Sequence, residues 1–84
     1  MNNLYKFVTE VTERYPNVPM HLLSSYKLLA HDIKADIDIH HTSYPTDTEF
    51  LRYVDGRLHT LAQKRALRRF KLVYSSWLKQ QQEQ

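Results

Sequence analysis

"TLAQKRALRRFKLVYSSWLK", residues 60–79, is the stretch on which the fold turns. Leu67, Phe70, Tyr74 and Trp77 follow one another at steps of three, four and three, the spacing that lines one face of an α-helix. A strand would instead place its apolar residues at every second position. Ala66, Val73 and Leu78 flank this stripe, while Lys64, Arg65, Arg68, Arg69 and Lys71 fall mainly on the sides and back of the same helix. The aromatic residues therefore read as core and the basic ones as surface. A set of side chains that stacks on bases has no reason to keep the buried-face period so closely.

Upstream, two short motifs mark helix starts. Thr60 and Gln63 form one capping box, and "TDTE" at residues 46–49 forms another, with the Thr46 hydroxyl accepting from the Glu49 amide while the Glu49 side chain reaches back. A helix from Thr46 carries Phe50, Tyr53 and Val54. It is expected to stop at Asp55-Gly56, where the chain's one glycine would supply the left-handed conformation of a helix C-terminus. On that reading, a bulkier residue at position 56 costs stability.

The first helix spans about residues 3–14, since Leu4, Phe7, Val8, Val11 and Tyr15 share a face. Pro16 ends it, because the residue before a proline is pushed out of the helical region. Asn17 is then placed to cap a second helix, with Pro19 in its first turn. Leu22, Leu23, Tyr26, Leu29, Ala30 and Ile33 make that helix's stripe, and Ile37 and Ile39 continue inward in a looser segment. "ADIDIHH", residues 35–41, holds the only strand-like alternation in the chain. The polar tail from Lys79 lacks apolar residues, so one domain is expected over 1–79 with a disordered end at 80–84.

These elements define an all-α fold, a compact bundle of four to five short helices. Its expected core is Leu4, Phe7, Val11, Leu22, Tyr26, Leu29, Ile33, Phe50, Tyr53, Val54, Leu67, Phe70, Tyr74 and Trp77. The 84 residues suffice for one modest core and leave little room to enclose a substrate. Without cysteine there is no disulfide frame, thiolate nucleophile or cysteine zinc site, and a reducing cytoplasm is the expected compartment. Glu10 and Glu13 interrupt the apolar pattern of the N-terminal segment, which argues against a signal peptide and a membrane span.

Three stretches resemble the YozE family, small proteins of low-GC Gram-positive bacteria with a helical fold similar to the sterile-alpha-motif domain. "LYKFVTEVTER" (residues 4–14) is similar to that family's opening aromatic helix and "FLRYVD" (50–55) to its middle segment. "LRRFKLVYSSWLK" (67–79) is similar to its closing helix, with an aromatic or aliphatic residue, another at plus three, Tyr at plus seven and Trp at plus ten. Two features depart from the family pattern. "HHTSYPT" (40–46) stands where a Phe-Pro-Lys element is usual, and the closing helix is basic where it is commonly acidic. The resemblance implies a sterile-alpha-motif-like fold and no particular chemistry.

Candidate chemistry is sparse. His40 and His41 are adjacent and diverge, and His31, Asp36 and Asp38 lack the spacing that turns two ligands toward one metal, so no metal site is expected. Nothing forces Asp32, Asp36, Asp38 or Glu49 into an apolar pocket, and they read as exposed helix-end acids. Ser24, Ser25, Ser75 and Ser76 have no evident base partner, and a lone glycine makes no phosphate loop. Neither an enzyme nor a bound cofactor or small-molecule substrate is expected. What remains is charge: the formal net charge is +3, and after Asp55 the only acid is Glu83. Arg57, Lys64, Arg65, Arg68, Arg69 and Lys71 are the candidate contact set. They suit either an interaction surface for an unknown protein partner or a phosphate-gripping face for nucleic acid without base readout.

Overall fold

Four helices make up the computed structural model, which describes residues 2–19, 25–40, 44 and 46–82. In chain order they are α1 (Asn2–Arg14), α2 (Tyr26–His40), α3 (Asp47–Arg57) and α4 (Leu61–Gln82). The all-α architecture expected from periodicity is the one observed, with no strand among the described residues.

Each helix buries the stripe its sequence marks. Leu4, Phe7, Val8 and Val11 of α1 join Leu29, Ala30, Ile33 and Ile37 of α2, Phe50, Leu51 and Val54 of α3, and Ala66, Leu67, Phe70 and Tyr74 of α4 in one cluster. Leu58, just beyond α3, completes it, with Tyr26, Tyr53 and Trp77 packed partly buried against it. At about 1.5 Å per residue the 22 residues of α4 reach roughly 33 Å, nearly the full 36 Å of the molecule's longest dimension. α4 is thus the spine on which α1 and α2 pack, and those two helices also pack on each other.

Aromatic rings concentrate where α4 meets α1. Phe7 lies 5.2 Å from Phe70 in an edge arrangement, 5.2 Å from Tyr74 and 5.7 Å from Trp77. Pairs of this kind add roughly 0.5–1.5 kcal/mol each beyond the area they bury. The indole Nε1–H of Trp77 donates to Glu10 Oε2 at 2.7 Å, so the half-buried ring keeps its one polar group satisfied. From the other side, the buried Tyr74 hydroxyl donates to Asp47 Oδ2 at 2.6 Å, fixing the first turn of α3 against α4.

Helix ends follow local chemistry, with three departures from the sequence reading. The Tyr15 amide closes the last turn of α1 on the Val11 carbonyl at 2.9 Å, and Pro16 has no amide to carry the helix further. Asn17, Val18 and Pro19 then lie outside any helix, so Asn17 does not cap α2. That role falls to Ser25, whose hydroxyl accepts from the Lys27 amide at 3.2 Å and whose carbonyl accepts from Leu29 at 3.1 Å. Pro19 holds Val18 away from helical geometry. Leu22 and Leu23 lie outside the described residues.

The second departure concerns the end of α2, which stays helical to His40 where a looser segment was expected. Two residues along a helix turn the side chain by about 200°, so Ile37 is buried while Ile39 stands 69% exposed. A period of two on a helix splits the pair between faces. Asp32 and Asp36 accordingly sit along α2 rather than at its end, whereas Asp38 lies exposed in its last turn.

Gly56 is the third. It lies within α3 and has no positive φ; the helix ends one residue later, and Leu58 (φ −86°, ψ 135°) turns the chain out with its amide donating to the Asp55 carbonyl at 3.2 Å. Burial of Leu58 in the core terminates the helix, and no left-handed residue is required. At the other two predicted starts the caps form. Thr46 Oγ1 accepts from the Glu49 amide at 3.2 Å, and at α4 the Gln63 amide donates to Thr60 Oγ1 at 3.0 Å. Gln63 Oε1 accepts in return from the amides of Thr60 (3.3 Å) and His59 (3.2 Å), a complete capping box. The tail expected to be disordered from Gln80 is helical through Gln82.

Candidate docking face

The six basic candidates separate into two groups. Arg57 faces α2, with Nη2 2.6 Å from Asp36 Oδ2 and both side chains largely covered. It clamps α3 to α2 and is not an open contact residue. Lys64 leans back on the end of α3, with Nζ 3.9 Å from Asp55 Oδ1 and 3.5 Å from the Asp55 carbonyl. Exposed pairs of that length contribute little, on the order of 0–1 kcal/mol.

Arg65, Arg68, Arg69 and Lys71 are exposed, and none has an ion-pair partner among the described residues. The helix carries them at a disadvantage. Arg65 and Arg69 are like charges four apart, as are Lys64 and Arg68, and each such pair destabilises a helix by roughly 0.2–0.5 kcal/mol. The first turn of α4 holds no acid to favour the positive end of the helix dipole, while Lys64 and Arg65 stand close by. A face selected only for solubility would alternate signs, as i,i+4 pairing rewards. Here the signs do not alternate.

Two leucines complete the face and were not recognised from the sequence. Leu61 and Leu72 are each 63% exposed, and they lie on the same side of α4 as the arginines. At about 100° per residue, Leu61, Arg65, Arg68, Arg69 and Leu72 span roughly 100° of arc and about 16 Å of helix. The sign that could have revealed them is their phase: both fall opposite Leu67, Phe70 and Tyr74 on the helical wheel, where a leucine serves no core. The outer face of α4 is thus cationic in the middle and apolar at both ends.

The histidines and carboxylates go elsewhere. His31 Nε2 donates to the Tyr15 carbonyl at 2.9 Å and ties α2 to the end of α1, and His40 rests edge-on against Tyr53 at 5.5 Å. His41 lies outside the described residues. Among those described, no three histidine, aspartate or glutamate side chains converge as a metal site would require. Among the same residues, no helix is long and apolar enough to cross a membrane. Burial, and then the hydrogen bond and charge of Asp47, hold the Tyr74 hydroxyl protonated well above the ordinary phenol range. That group is packed between helices and serves structure. No protein-family model matches the chain, and neither a curated protein nor a solved structure matches it.

Proposed function

We propose that the chain is a small non-enzymatic binding module, of the sterile-alpha-motif-like architecture it resembles, and that it works by protein–protein interaction through the outer face of α4. One observation carries this reading: Leu61 and Leu72, 63% exposed, bracket Arg65, Arg68 and Arg69 on one helix face. A single exposed leucine needs no explanation, but apolar ends around a cationic centre describe a helix that docks on a complementary surface. The partner's surface would be acidic in the middle and apolar at its edges.

The alternative is sequence-non-specific binding to nucleic-acid backbone, favoured by Lys64, Arg65, Arg68, Arg69 and Lys71 standing on one helix that carries no acid of its own. Phosphate contacts have no use for Leu61 and Leu72. Anisotropy of labelled generic DNA and RNA, compared with crosslinking to proteins in a nuclease-treated extract, separates the two. Under the protein reading, Leu72→Ser and Arg68→Glu each remove the same crosslinked protein, and nucleic acid binds weakly or not at all. Under the alternative, nucleic acid binds with an affinity that falls log-linearly as salt rises, Arg68→Glu weakens it, and Leu72→Ser leaves it unchanged.

A further inference from the structure

The outer face of α2 repeats the pattern of α4 with the opposite charge. On α4 the face reads Leu61, Arg65, Arg68, Arg69, Leu72, at steps of four, three, one and three. On α2 the same steps give Leu28, Asp32, Ala35, Asp36, Ile39. Both segments are helical over their whole length and both place an aliphatic residue at each end about 16 Å apart; the α4 row turns outward throughout, whereas on α2 Asp36 turns in toward Arg57 of α3. Ile39 is 69% exposed, Asp32, Ala35 and Asp38 are exposed, and Leu28 is half-buried.

We infer that a second copy of this chain is the occupant of the α4 face, docking the outer face of its α2 there. This rests on the docking reading of α4 and supplies its partner. Arg65 and Arg68 of one protomer meet Asp32 and Asp38 of the next, while the leucines of one helix and Ile39 of the other cover each other at the ends. Asp36 is held by Arg57 within its own chain, so Asp32 is the open carboxylate of the row, and the exposed Asp38, about 100° round the helix from Ile39, supplies a second from the row's edge. Lys27 does not oppose the contact, since its ammonium lies over the Tyr15 ring at 3.9 Å, and Lys34 stands on the flank of the row. The contact joins unlike surfaces, so a protomer that offers its α4 face still has its α2 face free to continue the assembly or to close it. Opposite charge at the centre sets register and partner choice, and the aliphatic ends exclude water.

Sedimentation velocity of the purified chain from micromolar to millimolar concentration tests the inference, beside two charge-reversed chains. One carries Arg65→Glu and Arg68→Glu; the other carries Asp32→Arg and Asp38→Arg. The wild type is expected to gain mass with concentration, and less so at high salt. Each reversed chain alone stays monomeric, and an equimolar mixture of the two associates again, because an intact α2 face then meets an intact α4 face. Circular dichroism and melting check that every chain is folded. Should a reversed chain fail to fold, Leu72→Ser and Ile39→Ser replace it, each weakening association by about tenfold. A wild type that stays monomeric at millimolar concentration and low salt overturns the inference, as does a mixture that stays monomeric. A monomeric wild type that still crosslinks another protein through Leu72 leaves the docking reading standing, whereas loss of both results removes it too.

Discussion

On its inner face α4 sets the Phe70 and Tyr74 rings each 5.2 Å from the Phe7 ring, while on its outer face Leu61 and Leu72 stand in water beside Arg65 and Arg68. Both rows obey the same helical period, and both contain large apolar side chains. They differ in what surrounds them. The inner row meets three other helices and has its polar atoms bonded, with Tyr74 on Asp47 and Trp77 on Glu10. The outer row has like charges crowded together and no partner in the described chain. A helix therefore needs to be read on both faces, because periodicity locates a stripe without saying what covers it.

The inner row is where substitution acts most strongly. Phe70 is fully buried at the centre of the aromatic group, and Phe70→Ala is expected to destabilise the domain by about 3–5 kcal/mol. For a chain of this size each kcal/mol moves the melting temperature by roughly 4–8 °C, so thermal melting reads the change directly. Trp77→Ala should fall at or below the lower end of that range, since its ring is only partly buried. A Phe70→Ala chain that melts with the wild type would remove the distinction between the two faces.

Tyr74 sharpens the same contrast by pH. Its hydroxyl titrates higher when folded than when unfolded, because burial and Asp47 disfavour the phenolate. The native state therefore holds a proton that the unfolded chain releases above its ordinary pKa of about 10. Stability from this group is complete below that pH and declines as pH rises beyond it, by up to about 1.4 kcal/mol per pH unit. Denaturant melts of the wild type and Tyr74→Phe between neutral and strongly alkaline pH check the sign. The wild type should show the steeper loss.

Gly56 offers a smaller effect of opposite direction to the one its sequence suggests. It is helical, exposed, and a Cβ built there meets nothing within 4 Å. Gly56→Ala is thus expected to stabilise the domain by roughly 0.5–1 kcal/mol, through helix propensity and a less flexible unfolded chain. A lower melting temperature would point back to a left-handed glycine at the end of α3.

The errors and successes of the sequence reading share a cause. Leu67, Phe70 and Tyr74 were legible because three residues at helical spacing agree on one direction, and Thr60 and Gln63 because a capping box needs only four neighbours. Gly56 and Ser25 were not, since a helix end is decided by competition: buried Leu58 overrides the glycine, and Ser25 replaces Asn17 behind a proline. Arg57 looked like the other arginines until the fold placed Asp36 beside it. Nothing local marks that pairing, because the two residues lie 21 apart in sequence. The exposed leucines carry their own signal, since Leu61 and Leu72 fall at the phase opposite the stripe, where a leucine serves no core.

The smallest expected effect on stability is also the one that bears most on function. Leu72→Ser removes no core contact, and the modest propensity change on an exposed helix position holds its effect near 0.5 kcal/mol. Arg68→Glu relieves repulsion from Lys64 and, three residues away, from Arg65, so its melting temperature should stay level or rise slightly. Neither substitution has a reason to disturb the helix. Residues selected for folding lose stability when replaced, whereas residues kept for a partner lose only the partner. Thermal melts of the two chains beside the wild type decide which description holds for the outer row. A fall as large as that of Phe70→Ala would mean that Leu72 and Arg68 belong to the fold, and the outer face of α4 would then have no claim to be a docking surface.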